Sequence, residues 1–204
     1  MSKSANMSGR DISRLKQAAE DLHNQDRDYR RASNKDFFIY IVLVLVVAFA
    51  LRAFVGEPIL VQGDSMYPTL FDNERIIVEK LSYYAAPPQR GDIIVCFYPG
   101  YTVSCVKRII GLPGDTVEIT GGKVMVNGAA LDETLYWGDQ IFDEMRLHVV
   151  DRNTLFVMGD NRNYSSDSRD PRIGDIPYEK IVGKAVCVMW PFDRLRAIWH
   201  VNYS

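Results

Sequence analysis

Asp92-Ile93-Ile94-Val95-Cys96-Phe97-Tyr98-Pro99-Gly100-Tyr101-Thr102-Val103-Ser104-Cys105-Val106-Lys107-Arg108-Ile109-Ile110 consists of two apolar, β-branched runs on either side of a Pro-Gly turn signal. This pattern predicts a hairpin, with strands over residues 92–97 and 102–110. The return strand carries Lys107 between Cys105-Val106 and Ile109-Ile110. An ammonium is costly in such surroundings. Two readings of Lys107 stand open: a strand-edge lysine with its head group in water, or a buried amine that has shed its proton.

Outward from the hairpin the same punctuation recurs. Short apolar or alternating runs at 57–62, 75–80, 116–120, 123–126, 154–158 and 181–190 read as strands. Gly121-Gly122 and Asn127-Gly128 mark tight turns. Ala85-Ala-Pro-Pro-Gln-Arg-Gly91 reads as a loop, and residues 131–150 as a mixed, acidic excursion with some strand. Many short strands with almost no helical periodicity predict a mainly β, barrel-like antiparallel domain over residues 56–204.

Residues 37–51 differ in kind: Phe37-Phe-Ile-Tyr-Ile-Val-Leu-Val-Leu-Val-Val-Ala-Phe-Ala-Leu51 holds no charge. With Arg52 able to snorkel, the apolar stretch extends through Val55 to about the 20 residues that cross a bilayer. A core helix would show a polar face. A cleaved secretory signal is the rival, since Ala48-Phe49-Ala50 is a small-x-small sequence, but residues 1–36 are long for its leading segment. The segment 37–55 is therefore expected to be a single uncleaved transmembrane helix. Arg27, Arg30, Arg31 and Lys35 ahead of it place the tail, residues 1–36, in the cytoplasm and residues 56–204 outside. Ile12, Leu15, Ala18, Ala19 and Leu22 give the tail a short helical spacing, with marginal helicity expected.

Composition narrows the classes of function. The 204 residues are 47% apolar and 25% charged, a globular balance. A net charge of −2, with no basic stripe, gives no case for a nucleic-acid partner. Cys96, Cys105 and Cys187 fit neither a disulfide framework nor a C-x-x-C metal site, so no metal or cofactor is expected. Cys96 and Cys105 flank the Pro99-Gly100 turn and could face each other across the hairpin; two buried thiols are expected there rather than a disulfide.

Two further stretches carry chemistry. Gly63-Asp64-Ser65-Met66-Tyr67-Pro68-Thr69-Leu70 sets a hydroxyl in a turn-prone sequence, and Gly159-Asp160-Asn161-Arg162-Asn163-Tyr164-Ser165-Ser166-Asp167-Ser168-Arg169 follows a strand. Amide hydrolysis by a serine needs a base, an oxyanion donor and a positioned acyl group. Histidine is the usual base, yet His23 precedes the anchor, and His148 and His200 lie outside any motif. No G-x-S-x-G elbow is present. A lysine serves if burial lowers its pKa from about 10.4. Lys107 is the one lysine with such surroundings. Asp64, beside the serine, reads as a turn residue facing solvent.

Taken together, these stretches resemble the boxes of bacterial type I signal peptidases, in the Gram-positive style. The resemblance runs from the anchor through Gly63–Leu70, Arg75–Val78, Gly91–Val95, Val106–Asp115 and Asn127-Gly128 to Gly159–Arg169 and Trp190-Pro191-Phe192. It implies a membrane-bound serine endopeptidase that cuts signal peptides from exported preproteins after a small-x-small sequence. It implies Ser65 as nucleophile, Lys107 as general base and Ser165 as the serine that orients the lysine amine. Asp167 and Arg169 would brace that loop, while Asp160 and Arg162 share the box without an assigned role. Ile59, Val61 and Val106 would line shallow pockets for small side chains, and are equally ordinary core positions. Trp190, Phe192 and Trp199 are candidate interfacial aromatics. Where some members carry a serine two positions before the nucleophile as an oxyanion donor, this chain has Gly63, leaving backbone donors there. The expected partners are exported preproteins and the lipid bilayer, and the oligomeric state is left open. Rivals are a self-cleaving Ser–Lys repressor, which would need a DNA-binding domain in place of the anchor, a dedicated pilin-processing peptidase, and a non-catalytic pilus-assembly chaperone of the same fold.

Overall fold

The computed structural model describes residues 17, 20–22, 35–48 and 56–203. Residues up to Ala50 and from Leu51 onward form separate units. In the first, residues 35–48 are helical, with exposed side chains. No helix among the described residues is long and apolar enough to cross a membrane. Residues 49–55, the second part of the expected anchor, and most of the expected tail lie outside the described residues.

The second unit is built of short strands: β1 (Glu57–Leu60), β2 (Arg75–Glu79), β3 (Ile93–Phe97), β4 (Ser104–Gly111), β5 (Thr116–Thr120), β6 (Lys123–Val126), β7 (Ala129–Ala130), β8 (Met145–Val149), β9 (Thr154–Met158), β10 (Ile176–Pro177), β11 (Ile181–Trp190) and β12 (Arg196–Ala197). The larger sheet runs β1-β2-β11-β3-β4-β9-β10, with β12 also paired to β11; the smaller runs β7-β6-β5-β8. All pairings are antiparallel. The large sheet's end strands, β1 and β10, do not pair with each other. The domain is thus mainly β and antiparallel, its barrel-like sheet an open half-barrel.

The hairpin of β3 and β4 forms as expected, with Cys96 opposite Cys105 and Ile94 opposite Lys107. Its strands are central in the sheet, which explains their apolar runs on both faces: Val106 through Gly111 are all buried. Three clusters share the interior. One gathers Val61, Met66, Leu70, Ile76 and Val188 around β2 and β11. A second packs the small sheet, through Val117, Ile119 and Val124, onto Ile110, Phe156 and Met158. The third joins Ile94, Cys96, Ile109, Leu155 and Ile176. Within 131–150 the strand is β8, set beside β5.

These elements aim two loops at one place. The β1–β2 connection holds Ser65. It is closed by Val61 N–H to the Glu74 carbonyl (2.8 Å) and by Asn73 N–H to the Val61 carbonyl (3.0 Å). Met66 and Leu70 plug it into the core at 1% and 0% exposure. The other loop leaves β9 at Gly159.

Candidate active site

Period two along β4 turns Lys107 and Arg108 to opposite faces, and both are buried. Their fates differ through their partners. Arg108 meets Asp160 in a two-pronged pair, Nε to Oδ1 at 2.8 Å and Nη2 to Oδ2 at 2.6 Å. Lys107 meets a hydroxyl: its Nζ lies 2.7 Å from Ser65 Oγ and donates to the Val106 carbonyl at 3.0 Å. No carboxylate stands within ion-pair distance of Nζ among the described residues. Burial pushes the Lys107 amine below the ordinary lysine range, although Cys105, Asp167 and Asp160 pull the other way. The open choice at Lys107 closes in favour of the buried amine.

Ser65 sits in a turn between exposed Asp64 and buried Met66. Its carbonyl accepts Asn161 N–H at 3.0 Å, and the Asp64 carbonyl accepts Asn161 Nδ2 at 3.1 Å. The two loops are therefore tied backbone to backbone. Gly159 lets them meet, because a Cβ there would strike Ser165 Oγ and the Ser65 carbonyl. Thr69 Oγ1 donates to Asp160 Oδ2 at 2.5 Å, and Arg196 holds both Glu74 carboxylate oxygens and the Thr69 carbonyl. Gly63 N–H is taken by Asp72 Oδ1 at 2.8 Å.

Asp167 and Arg169 form the expected pair, Nε to Oδ1 at 2.7 Å and Nη2 to Oδ2 at 2.8 Å. Asp167 also accepts Gly159 N–H, and Arg169 reaches the Ser165 carbonyl. Burial works to raise the Asp167 carboxyl, but the Arg169 hydrogen bond and charge hold it below the usual range. The hydrogen bond expected from Ser165 to the lysine amine is not made: Ser165 Oγ is buried with no partner at hydrogen-bonding geometry, beside the Asp167 carboxyl that its hydroxyl helps hold down. The loop around it is fastened by Arg169 on the Ser165 carbonyl and by Asp167 on the Gly159 N–H.

Beside Ser65 and Lys107 lies a cavity of about 200 Å³ lined by Ile59, Val61, Met66, Cys105 and Val106 among others. The three expected pocket residues are there, while Val61 and Val106 also belong to the core. Cys96 and Cys105 are free thiols facing across the hairpin.

The sequence gives no role to Arg108, Glu133 or Tyr136, and leaves Arg162 without one. Arg108 was legible by the cost argument applied to its neighbour, since a second cation in the same apolar run also requires a buried partner. Arg162, fully buried, pairs with Glu133 and donates to the Tyr136 hydroxyl (2.8 Å) and the Gly159 carbonyl (2.7 Å). Glu133 and Tyr136 come from the excursion 131–150, which has no periodicity to announce them.

Residues 34–190 match the family described as signal peptidase, peptidase S26. The chain belongs to this family. Signal peptidase I of Leptolyngbya laminosa is 41% identical over 171 residues, covering 76% of this chain and 79% of its own. Signal peptidase I P of Bacillus subtilis subsp. natto is 38% identical over 181 residues, covering 84% and 97%. Among solved structures, a signal peptidase I from Enterococcus faecalis V583 aligns with a TM-score of 0.42 at 28% identity, over 48% of this chain and 97% of its own.

Proposed function

We propose that this member of the signal peptidase family removes N-terminal signal peptides from exported preproteins, with Ser65 as nucleophile and Lys107 as general base. The observation that carries the assignment of roles is the buried Lys107 Nζ, 2.7 Å from Ser65 Oγ and without a carboxylate to keep it charged. The neutral amine takes the hydroxyl proton as Oγ attacks the carbonyl of the last signal-peptide residue. An acyl-enzyme forms, and the lysine returns that proton to the departing amine. Water then takes the place of the amine, giving a proton to Nζ as it attacks the ester; the Ser65 Oγ–acyl bond breaks, Nζ returns the proton to Oγ, and the acid product leaves. The Ser65 N–H is the donor proposed for the oxyanion. Ser165, with a buried and unpartnered hydroxyl, is the residue proposed to take an N–H of the lysine once substrate is bound. Ile59, Val61 and Val106 restrict the pocket to small side chains.

The apolar run 37–55 is proposed as a single membrane anchor with residues 1–36 in the cytoplasm and 56–204 outside. The charge-free stretch 37–51, the snorkelling Arg52 and the arginines before the run support this reading. Tethering raises the effective concentration of Ser65 where signal peptides emerge. The test is preprotein cleavage by the full-length chain in detergent or vesicles. Ser65→Ala, Lys107→Ala and Lys107→Arg should each leave the precursor uncut, the last because arginine does not give up its proton. Mature product from both Ser65→Ala and Lys107→Ala at the parent's rate would refute the assignment.

A further inference from the structure

The mechanism leaves two nucleophilic groups unused, one in the wall of the cavity beside Ser65 and one behind it. Cys105 lines that cavity, half-buried, two residues before Lys107. Cys96 lies directly opposite on β3 and is completely buried. Their sulfurs are 3.4 Å apart and unbonded. Residues opposed in an antiparallel pair have Cα atoms about 4.5–5.5 Å apart, inside the span a disulfide bridges. Closing from 3.4 Å to an S–S bond of about 2.05 Å asks each sulfur to move by less than about 1 Å. Only one of the two thiols meets the cavity, so a reagent entering it reaches Cys105 and not Cys96.

We propose that Cys105 and Cys96 form a thiol–disulfide exchange pair: Cys105 is the entry point for a small disulfide reaching the peptide cavity, and Cys96 is the resolving thiol that expels it. In the first step the Cys105 thiolate attacks one sulfur of R–S–S–R, giving Cys105–S–S–R and one R–SH. In the second, Cys96 attacks Cys105 Sγ, gives up its proton, closes the internal disulfide and releases the second R–SH. The two electrons lost by the protein reduce the reagent. The titrations run in the same direction: the thiol–thiol contact lowers Cys105 against its burial, and the same contact raises Cys96. The attacking partner is thus the cavity-facing one. The extracytoplasmic location proposed above is where such oxidants persist. While attached, R occupies the space beside Ser65 that a small substrate side chain needs. Resolution by Cys96 empties it.

The part of this inference that concerns cleavage rests on the cavity being the peptide site, whereas the exchange chemistry does not. The full-length protein, folded in detergent, is treated with cystamine, digested without reduction and mapped by mass spectrometry alongside a peptide-cleavage assay. The parent should acquire a Cys96–Cys105 bond, its mass lower by two hydrogens, with no retained adduct. Cys96→Ser, or Cys96→Ala if the serine variant does not fold, should hold an aminoethyl adduct on Cys105. That variant should lose cleavage in proportion to the adduct and regain it on adding dithiothreitol. A Cys187→Ser chain should behave as the parent. Reagent confined to Cys187, no bond between Cys96 and Cys105 in the folded parent, or an adduct on Cys105 that leaves cleavage intact would each overturn the proposal. Absence of cleavage before any treatment would count against the peptidase reading alone, because the mass map still decides the exchange.

Discussion

Gly159→Ala should cost catalysis far more than folding. The backbone at Gly159 lies outside the left-handed region, so alanine meets no conformational penalty there. What it meets is contact. Its Cβ would fall 2.5 Å from Ser165 Cβ, and closer still to Ser165 Oγ and the Ser65 carbonyl. Ordinary carbon contacts lie at about 3.5–4.0 Å, so the two loops must part by about 1 Å. Gly159 itself cannot retreat, because its N–H is held by Asp167 and its carbonyl by Arg162. The displacement falls on Ser65, whose Oγ has to stay beside Lys107 Nζ. A misplacement of about 1 Å lowers kcat on the order of 100-fold. Overpacking of this kind costs about 1–3 kcal/mol of stability, which lowers Tm by roughly 2–4 °C per kcal/mol in a domain of this size. The assay is single-turnover cleavage of a signal-peptide substrate at a temperature where near-ultraviolet dichroism shows both proteins folded. A folded Gly159→Ala variant with kcat within about threefold of the parent would refute the reasoning, since a shift of that size at Ser65 cannot be so mild.

Lys107→Met should abolish cleavage yet leave the domain at least as stable as the parent near neutral pH. Because folding lowers the amine's pKa, the unfolded chain binds the extra proton, and the parent loses roughly 1–2 kcal/mol for each pH unit of depression until the pH reaches about 10.4. The gap in Tm between variant and parent should narrow as pH rises toward that value. Glu133→Ala strands the Arg162 guanidinium in the interior and should destabilise by about 3–5 kcal/mol in urea titration. At the acid end, Asp167 titrates below its unfolded value, so its contribution is complete above about pH 4 and lost as pH falls through the folded pKa. Asp167→Asn should flatten that part of the stability–pH curve.

What could be read in the sequence is what depends on local pattern. Pro99-Gly100 between two β-branched runs marks a hairpin with only neighbouring residues to consult, but the register of β3 and β4 is centred between Gly100 and Tyr101, one residue beyond that dipeptide. The choice between a wet and a dry Lys107 required knowing that β4 lies between β3 and β9, a fact of sheet order to which the strand itself is blind. Sheet closure was beyond reach for the same reason: strand count is local, but whether β1 and β10 meet is decided by twist and by the small sheet's docking. Ser165 shows a finer limit. Its place in the loop follows from its neighbours, whereas a hydroxyl's partner depends on tenths of an ångström set by Gly159, Asp167 and Arg169 together. Glu133 carries no pattern at all, and only the finished fold brings it to Arg162.

The acidic side chains around Lys107 bear on the general-base role proposed for it. Cys105, Asp167, Cys96 and Asp160 all exert a field that favours its charged form, and either carboxylate, placed within ion-pair reach, would pin the proton on the amine. Neither is free to do so. Arg108 takes both oxygens of Asp160, and Arg169 takes both oxygens of Asp167. Each arginine is a fixed, planar donor pair that keeps its charge through the whole cycle. Their function near the site is therefore subtractive: they keep two carboxylates engaged within a few residues of a lysine that must stay without one. Had Arg108 been absent, the carboxylate on the Gly159-Asp160 turn would have been left buried and unpaired, with Lys107 as the nearest cation on β4. Burial alone does not make a basic lysine; burial with the neighbouring acids already paired does.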